Sequence, residues 1–324
     1  MEALLAKIGV ILVMYRQKHN LELLYDSLSG QTEKDLKIYF ADNNSDDSDI
    51  EFSKRLNSNF KLDIEYLQTG GNAGFAGGNN IGAKKAIEEG CKFIFFLNND
   101  TILDNNCLAE LKSAVENDPA IVAAAPLIFF WSGGKTKERI QEFGAKADFS
   151  SYIITKYYEG AGYSENENKI PETVFADVLP GAATFIRSEV LLKTGLWEED
   201  YFAYGDEIDL ARRIKNEGYK CAAVKKAILW HNHKWTKDNK QGYYFEYYLI
   251  QRNKYLYFRK HGLYFNMLIA YMADILKFPV RMIWFMKVCG IKLGYYYLKG
   301  TYAGIFGHKG KPRLSFLKKT GWSS

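Results

Sequence analysis

The sequence predicts an α/β fold, a mainly parallel sheet flanked by helices, followed by a C-terminal helical extension. Three observations carry this. Short β-rich apolar runs alternate with helix-like segments through the first third of the chain, two of those runs end abruptly in Asp and Asn clusters, and after residue 240 the chain turns aromatic, basic and helical. With 47% hydrophobic and 25% charged residues over 324 positions, the chain reads as globular and long enough to bury a large core. We place a ligand-binding domain at residues 1–240 and the helical region at 241–324.

The elements follow in order. Residues 8–13 are β-rich, 20–28 helical, 36–41 a strand, 49–56 helical and 62–67 a strand again. A Gly/Asn loop spans 70–78, then come a helix at 79–89, a strand at 92–97 and a helix at 104–116. Such a βαβα rhythm places ligands beyond the carboxyl ends of the strands, so Asp42 and Asp100, each directly after a strand, belong to one ligand face. Residues 129–172 show weak periodicity and read as an irregular insertion where acceptor recognition can be built. Residues 173–179 and 182–186 are strand-like, and 207–216 has amphipathic helical spacing.

The formal net charge of +5 is mild, and no nucleic-acid partner is expected; basic residues crowd the end at Lys309, Lys311, Arg313, Lys318 and Lys319, which suits an anionic surface. Residues 263–291 are apolar but carry Asp274, Lys277, Arg281 and Lys287, so no uncharged run of 18 residues is available to span a bilayer. The segment fits an amphipathic helix lying on a membrane surface, and equally a helix that closes the core or a dimer interface. Cys91, Cys107, Cys221 and Cys289 show no CxxC spacing, which favours reduced thiols in the cytoplasm and excludes a cysteine zinc site. The first apolar run breaks at Tyr15-Arg16 without a small-residue cleavage pattern, as a first strand does and a signal peptide does not.

Four constellations carry chemistry. Asp42-Asn43-Asn44-Ser45-Asp46-Asp47 is a strand end running into an Asx-rich turn; Ser45 and Asp46 suit a helix N-cap, and Asp42 can accept the imide N–H of a uracil or thymine ring. The glycine-rich run from Gly70 to Gly82 admits close backbone approach and leads into a helix N-terminus that attracts phosphate, but it holds neither GxGxxG nor the Lys of a P-loop. Asn98-Asn99-Asp100 taken alone is a polar turn; in this company Asp100 becomes a candidate ligand for a hard divalent ion. Asp206 and Glu207 follow an aromatic loop able to exclude water and raise a carboxylate toward a working general base, whereas Asp209 facing Arg213 at i, i+4 is a structural pair. His231 by itself is either structural or a metal ligand.

The order Asp42-Asn43-Asn44-Ser45, Asn72-x-Gly74-Phe75-Ala76-Gly77-Gly78-Asn79-Asn80, Asn98-Asn99-Asp100, Tyr204-Gly205-Asp206-Glu207-x-Asp209-Leu210 and Trp230-His231 resembles the family 2 glycosyltransferases with a GT-A fold, in particular their rhamnosyltransferase-like branch of bacterial polysaccharide synthesis. The resemblance covers residues 8–235, and 247–259 is similar to that branch's C-terminal helix. It implies a single inverting displacement on a dTDP- or UDP-linked sugar, with a saccharide or lipid-linked saccharide as acceptor, in the cytoplasm or on the inner face of its membrane. Tyr15, Asp42, Asn72, Gly74, Gly78, Asn79, Asn98 and Asn99 would then line the nucleotide sugar, and Asp100 with His231 would hold Mg²⁺ or Mn²⁺. Asp206-Glu207 stands where relatives carry Glu-Asp with the second member as base, which selects Glu207; the swapped order keeps Asp206 as the alternative.

Two rival classes share parts of this pattern. A nucleotide-dependent oxidoreductase would place its glycine loop after the first strand, whereas this one follows the third. A noncatalytic sugar or nucleotide-binding module would have no use for both a metal candidate and a base candidate.

Overall fold

The chain's structure is a computed structural model that describes residues 8–15, 20–44, 48–232 and 240–314. Ser45, Asp46 and Asp47 of the first Asx turn, and Lys318 and Lys319 of the basic tail, lie outside the described residues. The first part runs β1 (Ile8–Met14), α1 (Leu21–Ser29), β2 (Leu36–Asp42), α2 (Ser48–Phe60), β3 (Ile64–Gln68), α3 (Gly74–Glu88), β4 (Phe93–Leu97), β5 (Thr101–Leu103), α4 (Cys107–Asn117) and β6 (Ile121–Phe130). The expected insertion is less irregular than its sequence suggests: it contributes β7 (Ile140–Glu142), the hairpin of β8 (Ala145–Asp148) and β9 (Ile153–Lys156), and the one-turn α5 (Tyr163–Asn166). Then come β10 (Thr173–Ala176), β11 (Ala183–Arg187), α6 (Ser188–Thr194), a 3-10 turn at Glu199–Tyr201, α7 (Asp206–Asn216) and β12 (Lys220–His231). The helices α8 (Lys240–Lys260), α9 (Tyr264–Val288) and α10 (Ile291–Ile305) close the chain.

The main sheet has the order β10-β12-β6-β11-β4-β1-β2-β3. β1 pairs in parallel with β2 and β4, β2 with β3, and β6 with β12, while β11 runs antiparallel between β4 and β6. β4 is buried on both faces, as its unbroken apolar run predicts: Phe93 and Phe95 join Leu108 and Leu111 of α4, while Ile94 and Phe96 join Ala83 and Ala86 of α3. In the register, Met14 faces Asp42 and Leu12 faces Leu97, so β1, β2 and β4 deliver Tyr15, Asn43 and Asn98 to one edge.

One boundary differs from the sequence reading in a way that bears on function. The glycine-rich run is a loop only to Ala73, and α3 begins at Gly74, so Gly74, Gly78 and Asn79 are helical and buried rather than part of an open ligand loop. The Asn72 Oδ1 accepts a hydrogen bond from Gly74 N at 3.0 Å, and Gly74 takes φ +79°, which together turn the chain into the helix. Glycine costs about 1 kcal/mol per helical position relative to alanine. Packing explains its use here: a Cβ on Gly78 would stand 2.7 Å from Val13 Cγ1, and one on Gly82 would stand 2.6 Å from Ile11 Cγ2. The helix therefore lies closer to β1 than any side chain would permit.

The region after residue 240 does not stand apart from the rest. Tyr255, Leu256, Tyr257 and Phe258 of α8 share a core cluster with Ala145, Val178, Tyr201, Ile208 and Ala211, so α8 packs as part of the same core. α9 is turned the other way. Its Asp274 is buried, bonded by Lys254, Gln251 and Tyr255 of α8 and by Arg281 at 2.8 Å, while Phe265, Leu276 and Val280 are more than 70% exposed. Among the described residues no helix is long and apolar enough to cross a membrane.

Gly82→Val is expected to destabilise the protein by about 2–3 kcal/mol through overpacking against β1. Gly134→Val is the control, since nothing lies within 4 Å of its Cβ position; urea unfolding of both variants compares them.

Candidate active site

Asp42 ends β2 fully buried, with Oδ1 accepting from Asn44 N at 2.8 Å and Oδ2 from Gln68 Nε2 at 3.2 Å. Its neighbour Asn43 donates from Nδ2 to Gly74 O at 2.8 Å, tying this strand end to the start of α3. Beyond β1, Tyr15 is half-buried, and the Met14 sulfur next to it receives Asn99 Nδ2 at 3.1 Å. Asn98 N donates to Ala182 O at 2.9 Å, linking the end of β4 to the loop before β11. Tyr15, Asp42, Asn98 and Asn99 thus share one edge, with Asn72 near it. The first turn of α3 is covered instead, because Ala76 N donates to Phe202 O at 3.3 Å and Asn79 Nδ2 bonds Phe75 O of its own helix at 2.9 Å.

Asp100 and His231 meet because β5 pairs antiparallel with β12, placing Thr101 opposite His231. The His231 Nε2 lies 3.0 Å from Asp100 Oδ1, and both side chains are largely buried. Two adjacent ligands about 2.1 Å from an octahedral divalent ion stand about 3 Å apart, so the pair fits such an ion. Among the described residues no third His, Cys, Asp or Glu joins them to form a metal-holding group. On the far side of the ring, His231 Nδ1 lies 3.0 Å from Gln141 Nε2, while Gln141 Oε1 is buried without a hydrogen-bond partner. An imidazole that gives Nε2 to a metal carries its proton on Nδ1 and needs an acceptor there, and turning the Gln141 carboxamide over supplies Oε1. Gln141 carried no signal in the sequence, because it sits in the weakly patterned insertion.

Asp206 and Glu207 open α7 behind a loop with left-handed residues at Phe202, Tyr204 and Gly205. Glu207 Oε2 accepts from Gly205 N at 3.0 Å, and its Oε1 lies 2.5 Å from where a Cβ of Gly181 would be. Gly181 adjoins Ala182, the partner of Asn98, so one short loop separates the base candidate from the Asp100 turn. The insertion reaches the same place: Tyr152 Oη lies against Gly205, and Arg212 of α7 donates to Phe149 O at 3.3 Å. Asp206 is fully buried and neither of its carboxylate oxygens has a hydrogen-bond partner. Burial pushes its carboxyl well above the usual range, with the charge of Glu207 adding to the effect.

Asp209 is structural, as its spacing predicts. Burial alone would raise its carboxyl, but His261 at 2.9 Å, Arg213 at 2.9 Å and Lys260 at 2.9 Å outweigh it and hold the group below the usual carboxylate range. Lys260 and His261 come from the end of α8 and its following turn, so this buried anion fastens α8 to α7. A cleft of about 260 Å³ opens at that join, but Lys260 pairs with Glu198 and Lys309 with Asp200, each at 2.6 Å, leaving it charge-compensated and away from Asp100.

The α/β sheet with Asp and Asn turns at its carboxyl edge has the architecture of the GT-A glycosyltransferases. Residues 9–188 match the model of Glycosyl transferase family 2, and the chain belongs to that family. It is 24% identical over 276 residues to the low-salt glycan biosynthesis hexosyltransferase Agl10 of Haloferax volcanii, covering 79% of this chain and 76% of the relative. Its fold is similar to that of GalNAc-T7, solved with UDP, GalNAc and Mn²⁺, with a TM-score of 0.59 and 15% identity. That match covers 78% of this chain and 48% of the solved one, so the chain spans about half of that structure's length.

Stability drawn from Asp209 and Asp274 has a defined pH dependence. Both carboxyls are lowered in the folded state, Asp274 to about 2 by Lys254 and Arg281 against the effect of burial, so their contribution is complete above the unfolded pKa of about 4 and lost as pH falls below it. Asp209→Ala leaves three basic groups without their anion and should cost about 3–5 kcal/mol at pH 7. Urea unfolding at pH 7, 4 and 3 should show a smaller acid loss in the variant than in the wild type; equal losses would remove Asp209 from this account.

Proposed function

We propose that the chain moves a hexose, rhamnose or a similar sugar, from a dTDP- or UDP-linked donor to a hydroxyl of a saccharide or lipid-linked saccharide in cell-surface glycan synthesis. The observation that carries this reading is the Asp100–His231 pair, 3.0 Å apart at the sheet edge, within a family 2 chain. The hexosyltransferase relative supports the sugar class. Asp42 accepts the imide N–H of the base, and Tyr15, Asn72, Asn98 and Asn99 line the nucleotide beside it. Asp100 and His231 would hold Mg²⁺ or Mn²⁺, which when bound supplies neutralising charge at the leaving diphosphate. Glu207 takes the proton from the acceptor hydroxyl as its oxygen attacks the anomeric carbon and the bond to the nucleoside diphosphate breaks, inverting the configuration.

The acceptor side favours a membrane surface. From residue 261 to the end the chain carries ten Lys and Arg against a single acid, Asp274, which is buried. The outward side of α9 is apolar and aromatic, with Phe265, Ile269, Leu276, Val280 and Trp284 exposed together with Lys277 and Lys287. Such a face suits the boundary of an anionic bilayer, with the helix lying flat. All four cysteines are free and buried, in keeping with the cytoplasmic face.

A thermal-shift series with UDP-, dTDP- and GDP-sugars, each with and without Mn²⁺, identifies the donor. With that donor, Glu207→Gln should retain binding while transfer falls by about two to four decades. Asp100→Ala should weaken the Mn²⁺-dependent part of binding. Near-full transfer by Glu207→Gln, or unchanged donor binding by Asp100→Ala, would refute the respective role. Sedimentation with anionic vesicles at low salt tests the surface: Leu276→Glu with Val280→Glu should abolish co-sedimentation, and a wild-type protein that stays in the supernatant would sink the membrane reading.

A further inference from the structure

We infer that Asn253, supported by Arg252, is the positioning residue that aims Glu207, acting from α8 through a single peptide unit. Both side chains are buried, at 0% and 1% exposure, in a helix otherwise given to packing. Asn253 Nδ2 donates to Tyr201 O at 3.0 Å, Ala203 O at 2.8 Å and Tyr204 O at 2.6 Å. Arg252 orients that carboxamide by donating from Nε to Asn253 Oδ1 at 2.9 Å, and adds Nη2 to Tyr201 O at 2.7 Å. Every carbonyl so held belongs to the loop in front of α7.

The decisive link is the peptide joining Tyr204 to Gly205. Its carbonyl is the one Asn253 holds at 2.6 Å, and its N–H is the one that donates to Glu207 Oε2 at 3.0 Å. In a trans peptide these two groups point in opposite directions, so fixing the carbonyl fixes the donor. The loop needs such a hold. Phe202 and Tyr204 both sit at φ +66°, a conformation that costs a non-glycine residue about 1–2 kcal/mol, and Gly205 follows at +79°. Without donors on its carbonyls, the loop is free to relax to ordinary backbone angles and rotate the Gly205 N–H away.

This rests on Glu207 being the base, and the experiment separates the two claims. Asn253→Ala should lower kcat about 100-fold while the donor KM stays within about twofold, because a misplaced catalytic group costs rate and not donor affinity. Hydrogen exchange at Ala203 and Gly205 should quicken in the variant. A kcat within threefold of wild type, or a loss of kcat matched by an equal rise in donor KM, overturns the inference. If Asn253→Ala is recovered unfolded, native-state exchange of the wild type in rising urea decides: the amides of Ala203 and Gly205 should open together with α8, and independent opening overturns it. Failure of the base reading is visible elsewhere, as transfer by Glu207→Gln, while Gly205 exchange still reports the hold.

Discussion

The parallel register of β1, β2 and β4 is the constraint on which the rest depends. Parallel strands start and stop together when their ends are level, and here Met14 pairs with Asp42 while Leu12 pairs with Leu97. The polar turns that follow have to emerge at one edge, because side chains such as Asn98 and Asn99 would lose their hydrogen-bond partners among Phe95 and Ile94. Shifting one strand by a residue would turn its buried set to the other face and separate Asp42 from Asn99. The apolar runs thus set where the chemistry sits before any catalytic residue is considered.

Around that edge the protein uses close backbone approach on one side and buried charge on the other. Gly78 and Gly82 let α3 settle against β1, which draws the end of β2 and the start of α3 together through Asn43. Opposite, α7 and the loop before it are held from α8: Asn253 and Arg252 bind the loop's carbonyls, and Asp209 of α7 gathers Lys260 and His261 together with its own helix's Arg213. A buried aspartate among three basic groups is costly to break, which makes the C-terminal region part of the site's frame. α9, packed through Asp274 and Arg281, then presents its apolar side outward from the same frame.

Much was legible in the linear order of residues. The strands and helices of the first 117 positions follow the apolar periodicity closely, Asp42 and Asp100 stand at strand ends as expected, and Asp209 pairs with Arg213 at its helical spacing. The glycine run misled, since glycine marks both a loop and a helix pressed against a sheet, and only the distance from Gly82 to Ile11 tells them apart. Gln141, Tyr152 and Asn253 were silent because each acts across a long stretch of chain on a partner that no local pattern announces.

The sequence by itself determined the fold class and the strand ends where Asp42 and Asp100 stand, because periodicity and strand-end polarity are local properties. Tertiary structure alone decided that Asp100 meets His231, that Asp206 is sealed without partners while Glu207 takes the Gly205 N–H, and that α9 buries Asp274 while its apolar side faces outward. Those outcomes depend on strand pairing and on which buried polar groups find each other, and both are set only when distant segments pack and water leaves.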